Sequence, residues 1–248
     1  MSSTRAAAPR QRVLSQARFE TSTLLRNGEQ LLVAIILPAM ALVGLTVSSF
    51  PDLGPGQRID TAAPGVLALA VVSTAFTGQA ISTGFDRRYG VLRYLGVTPL
   101  GRTGLLLGKA MAVLSVLAIQ VVILGGLALF LGWRPAPPGV PAALVTMVVG
   151  SAAFVALALL LAGTMRAEAV LAVANLVWVV LLGLGLLTPT DRLGAIGPLA
   201  AFLPSGALGD GLRIALIHGG FPWVQLIVLA LWALVAGSLV RAFFRWTP

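Results

Sequence analysis

The chain has 248 residues, of which 58% are hydrophobic and only 10% are charged, and its mean hydropathy is +0.96. Soluble domains carry about 25% charged residues, so this composition excludes a soluble globular protein. The 17 basic and 8 acidic residues give a net charge of +9, which in so apolar a chain indicates a membrane protein with basic loops rather than a nucleic-acid-binding protein.

The first predicted elements precede the membrane. Residues 1–11 are expected to form a disordered basic leader, and residues 12–28 an amphipathic helix that lies in the membrane interface. The apolar side chains that fall on one side of this helix are Val13, Leu14, Ala17, Leu24 and Leu25. The alternative is a basic leader that only sets the topology.

Six charge-poor stretches follow, each near or above the about 20 residues that cross a bilayer as a helix. They predict an all-α, polytopic membrane protein in which residues 1–248 form a single transmembrane domain. The six spans are expected at about 31–50, 62–85, 108–132, 141–164, 168–188 and 222–243. A further charge-poor stretch at 193–209 is short and rich in Gly and Pro, which break helices, and therefore predicts a broken helix that dips partly into the outer leaflet before the last span. The alternative is a seventh span.

The distribution of charge predicts the orientation. With both termini in the cytoplasm, thirteen of the 17 basic residues lie in cytoplasmic segments, and those left outside are Arg58, Arg134, Arg192 and Arg213. This asymmetry satisfies the positive-inside rule. Four Asp residues balance the outside cations, so the whole net charge of +9 belongs to the cytoplasmic side.

Groups for chemistry are scarce in the predicted spans. The charge-free stretches within and around these spans contain one ionisable side chain, His218, near the start of the last stretch at 214–240. With Asp210 it forms the candidate pair for an intramembrane enzyme, although such a pair more often caps helices. Residues 104–109 read GLLLGK, one residue short of a phosphate-binding loop, and the GxxxG spacing within them is interpreted as chance. A lone His without any Cys predicts no metal site.

Uncharged polar residues inside the spans have two interpretations. The favoured one is hydrogen bonding between helices, and the other is the lining of a path for an amphipathic substrate. The candidate lining residues are Ser73, Thr77, Gln79, Ser82, Gln120 and Asn175.

The sizeable cytoplasmic loop, residues 86–104, contains both tyrosines of the chain, Tyr89 and Tyr94. A short helix is expected over residues 87–95, with Gly96 ending it. Thr98 followed by Pro99 then predicts the N-cap and first turn of a second helix. A loop that only fixed the topology would need charge alone, so this pattern favours a helical knob below the membrane.

This pattern resembles the permease subunits of ABC-2 type transporters, the group that includes the daunorubicin-resistance type exporters. The resemblance rests on residues 26–30 (RNGEQ), 85–93 (FDRRYGVLR) and 95–100 (LGVTPL). It implies that the loop carries a coupling helix that docks into a separate ATPase subunit. It also implies that residues 193–213 form an extracellular, broken re-entrant hairpin before the last span. The implied coupling residues are Asp86, Arg87, Arg88, Tyr89, Gly90, Leu92, Arg93, Leu95, Thr98 and Pro99.

The resemblance implies a non-catalytic efflux subunit in a bacterial cell membrane, of a kind associated with antibiotic resistance. ATP and Mg would be bound by two copies of the partner ATPase, with no cofactor in this chain, and a second permease copy or a close paralogue would complete a dimer. The cargo would be a drug, lipid or glycolipid. The alternatives are an intramembrane enzyme that uses Asp210 and His218, and an ATP-independent channel or assembly factor.

Overall fold

The structure is a computed structural model that describes residues 8–26, 28–96 and 98–245. Within these ranges the chain is helical and contains no strand. In chain order the helices are α1 (Pro9–Arg26), α2 (Gly28–Val47), α3 (Arg58–Arg88), α4 (Val91–Gly96), α5 (Gly101–Phe130), α6 (Val140–Thr164), α7 (Ala167–Leu186), α8 (Gly197–Ala201), α9 (Pro204–His218) and α10 (Trp223–Phe243).

Five of the helices in the described chain, α3, α5, α6, α7 and α10, are long and apolar enough to cross a membrane. The backbone of α2 is helical over 20 residues, so it overlaps the first predicted span over residues 31–47, and its apolar part, Ala34–Val47, is shorter than the other five. Each predicted span therefore corresponds to one helix. The protein is an all-α, multi-pass membrane protein, as the sequence predicts.

The alternating direction of the long helices sorts the connecting segments into two groups. One group contains α1, the loop around α4, the turn between α6 and α7, and the C-terminal residues, and we call this side of the molecule the basic end. The other contains residues 48–57, 131–139 and 187–222, and we call it the opposite end. The predicted cytoplasmic cations of the described chain lie at the basic end.

Helix α1 is longer at its start than the sequence predicts. It begins at Pro9, so residues 9–11 belong to the helix and not to the leader, whose residues 1–7 lie outside the described chain. Proline fits the first turn of a helix because its missing N–H would have had no partner there.

The GxxxG sequence of α5 is the place where α1 packs on it. A Cβ atom added to Gly108 would lie 2.7 Å from Cγ and 3.0 Å from Cβ of Gln16, and one added to Gly104 would lie 3.6 Å from Cγ2 of Val13. The interpretation of this spacing as chance is therefore wrong. The two glycines allow the backbones of α1 and α5 to approach closely.

Helix α3 lies at the centre of the bundle. Of its apolar window 83% is buried, compared with 22% for α7 and for α10. Many of its buried residues are small, including Ala62, Ala63, Ala68 and Ala70, which lets neighbouring helices approach it. Its middle part, Val72–Gly78, has π-helical hydrogen bonding.

The segment before the last span is broken, as the sequence predicts. The helical stretches Gly194–Ala201 and Pro204–His218 meet at an angle of 91°. The break extends backwards into α7, where Leu184 and Gly185 leave helical geometry, with φ at Gly185 of +92°. Arg213 is 5% exposed and donates hydrogen bonds to the carbonyl oxygens of residues 185–187, so it satisfies backbone groups that the broken helix leaves unpaired.

Replacing Gly108 with Leu should separate α1 from α5, because the new side chain would occupy the volume of Gln16. Overpacking of this kind costs about 1–3 kcal/mol. We expect trypsin to cleave the variant at Arg18 in α1 faster than it cleaves the native protein. Gly126→Leu is the matched control, since a Cβ atom at Gly126 of the same helix would meet nothing within 4 Å. Equal cleavage of the two variants would contradict the packing role of Gly108.

Candidate functional site

The loop that links α3 to α5 forms a short helix flanked by two turns. Helix α3 ends at Arg88, and Gly90 follows with φ of +75°, a left-handed conformation that favours glycine. Helix α4 then covers Val91–Gly96. The predicted continuous helix over residues 87–95 is therefore wrong, because the left-handed backbone at Gly90 interrupts it.

The start of α5 also differs from the prediction. The helix begins at Gly101 after Leu100, and not at Pro99. The hydroxyl group of Thr98 donates a hydrogen bond to the carbonyl oxygen of Leu95 at 2.7 Å. Thr98 therefore closes the end of α4 instead of capping the next helix.

The predicted coupling residues divide into exposed and buried groups. The side chains of Tyr89 and Tyr94 are 69% and 75% exposed, and Arg93 between them is also exposed. We call these three residues the loop surface. Leu92 is only 1% exposed and anchors α4 to the bundle. Arg87 is likewise buried, so neither Leu92 nor Arg87 can contact another protein directly.

Two arginines at the end of α3 bond to the segment between α6 and α7. The guanidinium group of Arg87 donates to the carbonyl oxygen of Met165. Arg88 forms an ion pair with Glu168, in which the two side chains are 50% and 63% exposed. The loop around α4 is therefore attached to α6 and α7 as well as to α3 and α5.

Beside the loop, the ammonium group of Lys109 is buried between two carboxylates. Nζ of Lys109 lies 2.8 Å from Oδ2 of Asp86 at the end of α3 and 3.2 Å from Oε1 of Glu20 in α1. Gln16 donates a further hydrogen bond to Glu20 at 2.9 Å. The Lys109 side chain is 1% exposed, whereas those of Glu20 and Asp86 are 19% and 32% exposed. We call Glu20, Asp86 and Lys109 the charge triad.

A groove of about 420 Å³ lies between α1 and the loop around α4. Its walls include Ser15 and Gln16 from α1 and Leu95 and Leu100 from the loop. Arg12 of α1 donates a hydrogen bond to the carbonyl oxygen of Pro99 across it. Helix α1 and the loop therefore present one continuous surface at the basic end.

The candidate lining residues lie apart from this groove, and most of them bond within the bundle. Gln120 joins three helices, because it accepts a hydrogen bond from Thr74 at 3.0 Å and donates one to the carbonyl oxygen of Ala34 at 2.8 Å. Ser73 accepts a hydrogen bond from Nε1 of Trp178 at 2.9 Å. These contacts are the interhelical bonding that the sequence favoured.

The other candidate lining residues make local contacts or none. Gln79 donates to the hydroxyl group of Thr83 at 3.2 Å, and Ser82 donates to the carbonyl oxygen of Gln79 at 3.3 Å. Asn175 lies on the exposed face of α7. The hydroxyl group of Thr77 is buried and has no partner in the described part of the chain. The structure therefore does not bring the six residues together along one path.

Asp210 and His218 line one cavity but form no hydrogen bond or ion pair with each other. The carboxylate of Asp210 accepts hydrogen bonds from Thr190 and lies 3.1 Å from Nη1 of Arg213. His218 is exposed at the C-terminal end of α9, followed by Gly219 in a left-handed conformation. Among the residues that the structure describes, no group of three His, Cys, Asp or Glu side chains could hold a metal ion.

The sequence model of the ABC-2 type transporter family matches residues 11–217, which include most of α1, the charge triad and the loop around α4. The chain belongs to this family. A comparison with curated proteins gave no match. Membership of the ABC-2 type transporter family makes the chain a membrane component of a transporter, which is not itself catalytic.

Sequence reasoning missed the charge triad of this ABC-2 protein. The sequence predicts Lys109 as one of the thirteen cytoplasmic cations, at the start of the span at 108–132, and Arg213 as a cation outside the membrane, so it indicates the burial of neither side chain. One feature of the sequence does distinguish Lys109 from the other basic residues: it is the single lysine in a chain otherwise rich in arginine. Lysine presents a compact ammonium group, which fits between two carboxylates without the planar fork of arginine.

The ion pairs at the basic end should contribute unequally to stability. The double substitution Glu20→Gln and Asp86→Asn leaves the buried ammonium group without a counter-charge, so we expect a loss of about 3–5 kcal/mol. Arg88→Met removes an exposed pair and should cost about 0–1 kcal/mol. Unfolding of the purified variants in SDS mixed micelles measures both. If the two variants lost similar free energies of unfolding, burial of Lys109 would not be what makes the charge triad stabilising.

Proposed function

We propose that the chain is the permease subunit of an ATP-driven exporter, coupled to a separate ATPase through the loop around α4. The proposal rests first on membership of the ABC-2 type transporter family. The observation that carries the coupling role is the loop surface, in which two exposed tyrosines flank an exposed arginine at the basic end. Tyr and Arg are enriched among the residues that dominate protein–protein binding energy.

The orientation supports the same assignment. The positive-inside rule assigns the basic end to the cytoplasm, where an ATPase would have access to the loop surface. The groove between α1 and the loop enlarges the available surface beyond α4, which has only six residues. A helix this short needs such support to form a stable interface.

In this proposal the charge triad connects movement of the loop to movement of the helices. A conformational change is driven only by an interaction that differs between two states, and here the ATPase would supply it by moving the loop. Asp86 lies at the start of the loop and is ion-paired to Lys109 of α5. Because Lys109 also binds Glu20, displacement of the loop would move α1, α3 and α5 together.

Transport of a bulky compound requires more than one copy of the chain in this proposal. Six spans enclose little space, so two permease subunits, or one and a close paralogue, would build the path at their interface with two copies of the ATPase. We expect a hydrophobic or amphipathic cargo such as a drug, lipid or glycolipid, as in the daunorubicin-resistance type exporters that the sequence resembles. Efflux from a bacterial cell belongs to the same proposal.

Substituting Glu for both Tyr89 and Tyr94 should prevent ATPase docking, because two aromatic contacts would be replaced by charges. We expect the affinity for the partner ATPase to fall at least about tenfold, with membrane insertion unchanged. Co-purification and stimulated ATP hydrolysis measure the effect. Phe50→Glu is the control, since Phe50 is an aromatic residue that is 81% exposed at the opposite end. Unchanged ATPase binding in the double variant would overturn the coupling assignment.

Transport should require hydrolysis by the partner and not only its presence. In inside-out vesicles that contain both proteins, we expect uptake of a fluorescent amphipathic compound with ATP and none with a non-hydrolysable ATP analogue. A passive channel or an assembly factor would give the same uptake in both conditions. That result would contradict the proposed exporter.

A further inference from the structure

A cavity of about 480 Å³ opens at the opposite end of the molecule, away from the coupling loop. Its walls are the start of α3, the turn at residues 189–192, α9 and the first turn of α10. This volume falls within the range of about 300–1,000 Å³ that is typical of small-molecule sites. Leu53, Ile214 and Ile217 contribute apolar surface, and the other walls are largely polar.

Both arginines in the wall are already paired. Arg192 lies 3.4 Å from the carboxylate of Asp52 and 3.7 Å from that of Asp191. Arg213 is paired with Asp210 at 3.1 Å and also binds the carbonyl oxygens at the end of α7. Both positive charges are therefore compensated within the protein, which makes the cavity less favourable for a phosphate or a carboxylate than two unpaired arginines would.

Asp60 is the charged group of the wall that remains unpaired. It lies in the first turn of α3, and its carboxylate has no hydrogen bond or ion pair to the rest of the described chain. The next residue, Thr61, is only 9% exposed, and its hydroxyl group likewise has no partner there. The Asp60 carboxylate and the Thr61 hydroxyl group can therefore both accept a hydrogen bond from a ligand in the cavity.

Two further polar side chains of the wall are uncommitted. Gln225 comes from the first turn of α10 and His218 from the end of α9. Neither side chain bonds another group within the described residues. Together with Asp60 and Thr61, they surround the cavity with hydrogen-bonding groups from three helices and one uncompensated negative charge.

We propose that this cavity binds an organic ammonium ion. The carboxylate of Asp60 is its counter-ion, Thr61 and Gln225 bond its neutral polar groups, and Ile214 contacts its apolar part. A divalent metal ion fits less well, because the described chain lacks the group of three His, Cys, Asp or Glu ligands that would hold it. A charge-assisted hydrogen bond to Asp60 is the strongest contact available in the cavity.

The part that this site plays in transport rests on the proposed function. In that orientation the opposite end faces the exterior, so the cavity is the last contact of an exported amine before its release. The binding itself does not depend on an ATPase. It is therefore measured on the purified full-length chain in nanodiscs without any partner.

The probe is dansylcadaverine, a fluorescent primary amine, and its N-acetyl derivative is the neutral control of nearly the same shape. We expect saturable binding of the amine and at least about tenfold weaker binding of the acetylated compound, because only the amine pairs with Asp60. Asp60→Asn should weaken binding of the amine by at least about tenfold, and Thr61→Val by about threefold. Glu168→Gln is the control, since Glu168 is an exposed carboxylate at the basic end and does not line the cavity.

Equal binding of the two probes to the native protein would overturn the proposal without reference to any variant. Unchanged affinity in Asp60→Asn, or in Asp60→Ser if the first variant is not monodisperse, would also overturn it. Displacement of the probe by micromolar CaCl2 would identify a metal site instead. If the native protein bound the amine in nanodiscs but gave no ATP-dependent uptake in vesicles with its partner, the proposed exporter would be contradicted and the cavity assignment would stand.

Discussion

The arrangement of the bundle at its basic end depends on the buried ammonium group of Lys109. An ammonium ion removed from water without a counter-charge is strongly unfavourable, so carboxylates must lie beside it. Those carboxylates are Glu20 of α1 and Asp86 at the end of α3, while Lys109 belongs to α5. One charge therefore fixes three helices relative to one another, directly beside the loop that we propose for coupling.

The spans could be predicted from the sequence because the bilayer enforces them. A helix in lipid must satisfy its backbone internally and keep charge out over about 20 residues, so a charge-poor stretch of that length has one stable structure. Short elements depend on single residues instead. The backbone at Gly90 interrupts the expected helix, and Thr98 bonds to Leu95 although its sequence context is that of an N-cap.

The charge triad could not be predicted, because its members are far apart in the chain. Asp86 and Glu20 precede Lys109 by 23 and 89 residues, whereas sequence spacing reports only on neighbours in one helix or loop. The glycines of α5 illustrate the same limit. A Cβ atom at Gly108 would contact α1, whereas one at Gly126 of the same apolar helix would have nothing within 4 Å. The tertiary fold, and not the local sequence, determines which glycine packs against another helix.

Helix α3 joins the two ends of the molecule. It carries Asp60 at the cavity and Asp86 in the charge triad, and it is the most buried of the candidate spans in the described chain. Between them, residues 72–78 bond in a π-helical pattern, and the buried hydroxyl group of Thr77 has no partner in the described residues. Such stretches change hydrogen-bond register and bend more readily than a regular helix. In the exporter that we propose, a displacement of Asp86 would act on Asp60 through this one helix, and the π-helical stretch is the part of α3 most able to change its bend.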